Sequence, residues 1–251
     1  MKEAKDRFSK QSDAYKTFRP AYPPELFEIL FDLFGSRNEC WDCATGNGQA
    51  AVELSNYFRH VYATDISRNQ IQNAEARENI TYSIARAEES GFSDDKFDLI
   101  TVAQAIHWFD LDAFGREVRR VSKNGGVLAV WGYGLLKIDP DIDPIIDDFY
   151  RKKIGPYWDG ERKHIDSAYQ TIEYNFTEIT PDYDLSINEY WSLNRLEGYL
   201  SSWSSVQNYI QQNPSENPVD VIIEKVREHW SDDTVKEVRF PVFLRIWEID
   251  K

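Results

Sequence analysis

The stretch Asp42-Cys43-Ala44-Thr45-Gly46-Asn47-Gly48 constrains this chain more than any other. A short apolar run ends on an acid and turns through two glycines, spaced G-x-G, into a helical pattern. A second apolar run, His60-Val61-Tyr62-Ala63-Thr64, then ends on Asp65. Strand, glycine turn, helix, strand and acid are the layout of a nucleoside-binding βαβ unit. The glycines let backbone N–H groups approach a ligand, and a carboxylate at the tip of the second strand suits a ribose diol.

What precedes the glycines narrows the nucleoside. A dinucleotide fingerprint reads G-x-G-x-x-G directly after an apolar strand and sets a pyrophosphate on the helix N-terminus. Here Asp42 stands before the glycines and the turn begins with Ala44. A carboxylate there repels a pyrophosphate but suits a cation. S-adenosylmethionine carries an ammonium and a sulfonium and has no phosphate, so it is the expected cofactor. NAD or FAD is the alternative.

Charge and length bound the rest. At 251 residues the chain is long enough for one large α/β domain carrying a lid. A net charge of −14 argues against a nucleic-acid backbone as partner and mildly favours a cationic ligand. No apolar run approaches the roughly 20 residues of a membrane helix. The N-terminus, Met1 to Arg7, is charged and lacks the apolar core of a secretory signal, so a cytoplasmic protein is expected. The two cysteines, Cys40 and Cys43, form a C-x-x-C inside the first strand rather than at a helix N-terminus. Residues three apart in a strand face opposite sides, so buried thiols are expected, and no metal.

Along the chain, Tyr22-Pro23-Pro24 opens a helix whose face is Leu26, Phe27, Ile29, Leu30, Leu33 and Phe34, with Gly35 ending it. A strand at Glu39 to Cys43, a helix from Gln49 to Phe58 and a strand ending at Asp65 follow. Ser67 caps a helix from Arg68 to Arg77 that turns Ile71 and Ala74 inward. Ile80 to Ala85 alternates as a third strand. Phe97 to Ala103 is nearly unbroken apolar, as for a central strand buried on both faces. Asp110 begins a helix with Phe114, Val118 and Val121 on one face. Lys123 to Gly126 reads as a turn, and Val127 to Trp131 as a fifth strand. Alternation from Val238 to Trp247 predicts a last strand returning to the sheet. Strands alternating with helices imply an α/β fold, a doubly wound, mostly parallel sheet. The expected organisation is a single domain, 1–251. Its cofactor-binding core is 25–135 plus the last strand 237–249, with a mainly helical lid formed by 1–24 and 139–218.

These residues resemble the class I S-adenosylmethionine-dependent methyltransferases, in the type 11 group that acts on small molecules. The glycine turn, Asp65, the Ala87-Glu88 pair and Phe97-Asp98 occupy matching places. The outer motifs resemble the fungal-type trans-aconitate methyltransferases: Arg19-Pro20-Ala21-Tyr22-Pro23, His107-Trp108-Phe109-Asp110, Trp131-Gly132-Tyr133, Gly155-Pro156-Tyr157-Trp158 and Trp203-Ser204. Ile165 to Leu196 has no counterpart. The resemblance implies a seven-stranded sheet and a set of roles. The backbone of Ala44, Thr45, Gly46, Asn47 and Gly48 holds the methionine part, with Asp42 orienting the turn or, through solvent, the ammonium. Asp65 meets the ribose hydroxyls, Ile66 beside it is a further cofactor-binding residue, Ala87 and Glu88 meet the adenine edge, and Ala103 and Gln104 lie near the transferred methyl. Ala44 replaces the first glycine of the usual G-x-G-x-G. Arg86 stands where many relatives carry an acid, which weakens the adenine assignment.

Methyl transfer is an in-line displacement, so orientation and desolvation supply most of the acceleration. A carboxylate acceptor is ionised at neutral pH and needs no general base. A phenol or alcohol needs one, and His107 is the candidate, against a structural role. Arg19 and Arg162, with His164 beside it, are candidates to grip an acceptor carboxylate, since a guanidinium offers paired hydrogen bonds. Tyr15 and Tyr22 either line the entrance or pack the arm, Trp108 is pocket wall and core, and Trp158 and Trp203 form an aromatic acceptor pocket or, alternatively, lid core. After the fourth strand the chain reads Ala103-Gln104-Ala105-Ile106, without the Asn/Asp-Pro-Pro turn of amino methyltransferases. O-methylation of a small acidic molecule is the expected reaction. A nicotinamide-dependent oxidoreductase and a non-catalytic cofactor-binding protein are the alternatives.

Overall fold

A computed structural model describes residues 20–33 and 35–251. Tyr15, Arg19 and Phe34 lie outside the described residues. A proline-opened helix, α1 (Pro24–Phe31), buries Leu26, Phe27, Leu30 and Phe31 at the spacing of one helical face. Then come β1 (Glu39–Cys43), α2 (Gln49–Ser55), β2 (His60–Asp65), α3 (Arg68–Gln72), β3 (Ile80–Ile84) and β4 (Phe97–Ala103). After a 3-10 turn at Ile106–Trp108 follow α4 (Leu111–Val121) and β5 (Ser122–Tyr133). The second half carries α5 (Asp143–Asp148), a π turn at Phe149–Lys153, a 3-10 turn at Gly155–Tyr157, α6 (Arg162–Asp166) and β6 (Thr177–Ile179). It closes with β7 (Ser186–Ser192), α7 (Leu193–Ser201), α8 (Ser204–Gln212), α9 (Pro218–Arg227) and β8 (Val235–Ile249).

The strands run in the order β3-β2-β1-β4-β5-β8-β6. The first five are parallel, and β8 is antiparallel to β5 and β6. This is the doubly wound, mostly parallel seven-stranded path, and it carries one further strand. β7 pairs antiparallel with the first half of β8, Val235 to Pro241, while Val242 to Ile249 pairs with β5. The strand changes partner at Pro241, which has no N–H to give a ladder, and its carbonyl accepts from Gly134 N at 2.9 Å. Segment 139–218 therefore supplies helices and also two strands of the sheet.

One core packs α1, α2 and the lid aromatics against one face of the sheet, and a second packs α4 against the other. Cys40 lies in the first and Cys43 in the second, both as buried free thiols. β4 is buried from Phe97 through Val102, as its unbroken apolar run requires.

Several element limits differ from the sequence reading. α2 ends at Ser55 rather than Phe58. α3 is a single turn that stops at Gln72, and it buries Gln70 while Ile71 and Ala74 stay half-buried. Ser67 does cap it, accepting from Gln70 N. Lys123 to Gly125 belong to β5 rather than to a separate turn: Ser122 pairs with Phe97, and a register shift between Phe97 and Leu99 absorbs the glycines.

Candidate functional site

The strand order reverses between β1 and β4, and ligands of open α/β sheets bind above such a switch point. The chain is strained there on both sides. Ala44, after β1, has φ +55°, and Gln104, after β4, has φ +53°. Each left-handed non-glycine residue costs on the order of 1–2 kcal/mol, a cost that clusters at functional sites. Gln104 is held by its N–H on Trp131 O at 2.9 Å and by its side-chain amide on Tyr133 O at 3.2 Å.

Beneath the glycine turn lies Asp42, fully buried. The β1–β4 register sets it opposite Thr101, whose hydroxyl donates to it at 2.8 Å, and the Thr45 hydroxyl donates at 2.5 Å. Burial pushes its carboxyl up to about 6, against the hydrogen bonds from Thr45 and Thr101, and nearby Asp65 adds to the rise. Asp65 is tied to both flanks of the turn. One oxygen accepts from Gly46 N at 2.9 Å and the other from Ser67 N at 2.8 Å. Gly46 and Gly48 have φ +59° and +88°, and Asn47 lies between them. A Cβ at Gly48 would meet the Tyr82 hydroxyl and ring. Ile66 is 40% exposed beside Asp65, an apolar surface next to a carboxylate. Ala87 is buried, and Glu88 accepts from Asp110 N at 3.0 Å and pairs with Arg86 at 3.4 Å.

His107 sits on the 3-10 turn and is buried, its Nδ1 3.0 Å from the Tyr169 hydroxyl. Trp108 packs on it with ring centroids 4.7 Å apart. Tyr22 meets the fully buried Trp131 edge-on at 5.8 Å, next to Ala103 in the β4–β5 register.

Segment 139–218 builds an aromatic cluster of its own. Trp158 and Trp203 lie 5.7 Å apart, with Tyr150 5.2 Å from the first and 5.7 Å from the second. Arg162 stacks its guanidinium 4.5 Å from the Trp158 ring centroid. His164, by contrast, turns to Thr171, with its Nδ1 2.8 Å from that hydroxyl. The structure thus brings Trp158, Trp203 and Arg162 together. It adds Tyr150, Thr101 and Tyr82, which the sequence did not single out, and Trp131, which it marked only as part of an outer motif. Thr45 and Gly48 had a local motif to point at them, whereas Thr101 and Tyr150 are joined to the site only by register and lid packing. Among the described residues, no helix is long and apolar enough to cross a membrane, and no group of three or more His, Cys, Asp or Glu is placed to hold a metal.

A doubly wound sheet with an acid-flanked glycine turn at its switch point defines a Rossmann-like nucleoside-cofactor enzyme fold. Residues 41–130 match the methyltransferase domain family. A protein of Dictyostelium discoideum named as a methyltransferase is 35% identical over 246 residues, covering 95% of this chain and 93% of that one. A structure from Anaeromyxobacter dehalogenans, described as a type II methyltransferase, superimposes with a TM-score of 0.86 at 35% identity, over 93% of this chain and 99% of that one. A Saccharomyces cerevisiae protein named as an S-adenosylmethionine-dependent methyltransferase is 23% identical, over 87% of each chain. The chain belongs to this methyltransferase family.

Proposed function

We propose that this protein transfers the methyl group of S-adenosylmethionine to a carboxylate oxygen of a small organic acid, in the cytoplasm. The residues present fit that cofactor. An acid with a raised pKa lies under the turn, where a ligand ammonium would stabilise its ionised form. Asp65 stands at the tip of β2 against the glycine turn, beside the exposed apolar Ile66, a carboxylate next to an apolar surface as a ribose next to an adenine requires. Ala44 to Gly48 would hold the methionine part, Asp65 the ribose, Ile66, Ala87 and Glu88 the adenine, and Ala103 and Gln104 would flank the methyl. When bound, the cofactor supplies a methyl group already activated on a sulfonium.

The observation that carries the acceptor class is the Arg162–Trp158–Trp203–Tyr150 cluster, a cation set against aromatic walls. Its helix α6 packs against the turn Ile106–Trp108 that follows β4. A carboxylate bound there needs no proton removed, so no base is required, and the buried His107 serves to hold the turn through Tyr169. Tyr22 and Trp108 complete the entrance in this reading, and Arg19, outside the described residues, stays a candidate for gripping the acceptor by its sequence motif alone. The resemblance of the outer motifs to trans-aconitate methyltransferases supports the same class.

Calorimetry with S-adenosylmethionine and S-adenosylhomocysteine, with NADH as control, tests the cofactor. A screen of carboxylic acids, phenols and amines with labelled methyl donor then tests the acceptor. Binding of both sulfur ligands and methyl-ester formation on an acid are expected. Binding of NADH alone, or turnover restricted to amines or phenols, would overturn the reading.

A further inference from the structure

Arg162 is a candidate carboxylate grip by sequence; what sets it apart in the structure is how it is held. Its Nε donates to the Tyr150 hydroxyl at 2.7 Å, and that hydroxyl donates to Asp166 Oδ1 at 2.6 Å. Asp166 stands 3.9 Å from Arg162 Nε, one helical turn along α6. All of the guanidinium's polar contacts run through Nε, so among the described residues its two terminal nitrogens have no protein partner. One face of the guanidinium stacks on Trp158, whose buried indole N–H also has no partner. A buried donor left unpaired is costly, and such groups in a native fold call for an explanation.

The backbone explains why Tyr150 reaches this spot. Phe149–Lys153 is a π turn, closed by Ile154 N on Phe149 O at 3.0 Å, and such single turns interrupt helices at functional sites. Two consecutive side chains, Phe149 and Tyr150, are thereby both buried against Trp203. In a regular helix, neighbours in sequence diverge by about 100°. Burial pushes the Tyr150 hydroxyl up to about 12, so it stays protonated and keeps donating to Asp166 while it accepts from Arg162.

We propose that Tyr150 is the positioning residue of the acceptor site: through its hydroxyl it fixes Arg162 so that the free end of the guanidinium and the Trp158 N–H together grip one carboxylate of a small organic acid. This rests on the small-acid reading above. Arg162 and Trp158 touch the acceptor; Tyr150 and Asp166 act through Arg162. A preorganised fork loses less freedom on binding than a loose one, so the effect falls on acceptor affinity.

The test uses the full chain, the acid that the wild type methylates best, and the variants Tyr150→Phe, Arg162→Ala, Arg162→Lys and the Tyr150→Phe/Arg162→Ala double. Tyr150→Phe is expected to raise the acceptor KM about tenfold, with kcat and the S-adenosylhomocysteine Kd within about twofold of wild type. Arg162→Ala raises KM further, Arg162→Lys does not restore it, and the double variant matches Arg162→Ala alone, because Tyr150 has nothing left to position. Additive losses in the double variant, or an unchanged KM in Tyr150→Phe, would overturn the clamp while leaving the proposed reaction intact. So would a cofactor Kd that shifts as much as KM. A wild type that methylates no acid removes the proposed reaction and the clamp with it, and that result is read before any variant is made.

Discussion

The carboxylate at the tip of β2, Asp65, accepts a hydrogen bond from the backbone N–H of Gly46, 2.9 Å away in the turn that follows β1. Its second oxygen does the same for Ser67 N. One side chain therefore sets the distance between the glycine turn and the start of α3, the gap a nucleoside would enter. Asp65→Ala removes the acceptor of two backbone donors and should lower stability by about 2 kcal/mol as well as abolishing S-adenosylhomocysteine binding. Asp65→Asn, which keeps one acceptor oxygen, should recover part of the stability but little of the binding. Urea titration and calorimetry on both variants decide this, and full binding by Asp65→Ala would remove Asp65 from the cofactor site.

Asp42 makes stability and binding depend on pH in a defined window. Its folded-state pKa of about 6 lies above its ordinary 3.8, so the folded protein holds a proton that the unfolded chain has lost. The contribution of Asp42 to stability is then fullest below about pH 4, declines as pH rises to about 6, and is lower by roughly 3 kcal/mol above it. Asp42→Asn should flatten melting temperature against pH across that window. A cationic ligand favours the ionised acid, so S-adenosylmethionine affinity should rise with pH through about 6, with proton release on binding. Calorimetry near pH 6 in buffers of different ionisation enthalpy would detect that release, and Asp42→Asn should lack it. A binding enthalpy independent of the buffer argues against any cation near Asp42.

The turn carries opposite demands at two neighbouring positions. Ala44 holds φ +55°, so Ala44→Gly should leave stability unchanged or raise it by up to about 1 kcal/mol, since relieved strain offsets the added freedom of the unfolded chain. Gly48 holds φ +88° under Tyr82, so Gly48→Ala should cost about 1–3 kcal/mol. Tyr82→Ala added to Gly48→Ala should recover the collision part but not the backbone part. Equal stability of the two single variants would contradict the geometry.

Trp203 and Trp158 should separate in their effects. Trp203 is 3% exposed and touches Phe149, Tyr150, Trp158 and Tyr199, so Trp203→Ala should cost about 3–5 kcal/mol. Trp158→Phe keeps an aromatic face but loses the unpaired N–H and one ring of the indole, so it should cost clearly less stability than Trp203→Ala. Its acceptor KM should rise if that N–H meets the ligand. A large loss of stability in Trp158→Phe would assign the ring to lid packing alone.

The cofactor half was legible because its signals are local in sequence. An acid, two glycines and a second acid on adjacent strands leave few foldings, and the apolar run from Phe97 identified the central strand. Boundaries were less legible where tertiary contacts overrode pattern: α3 stops after one turn, and the Lys123–Gly126 glycines join β5 because a register shift against β4 accommodates them. β7 was not foreseen, since its alternation is mixed with charge and its pairing depends on the length of β8.

The amino-acid order by itself determined the doubly wound sheet, the glycine turn and the acids that flank it, because hydrophobic periodicity and glycine geometry act over a few residues. It also supplied the charges and aromatics of the lid, without their partners. Only the tertiary structure decided that Thr101 lies on Asp42, that Tyr22 meets Trp131, and that Tyr150 holds Arg162 beside Trp158. Those contacts join residues distant in sequence, and strand register, a π turn and the burial of a shared core fix them, none of which a local pattern encodes.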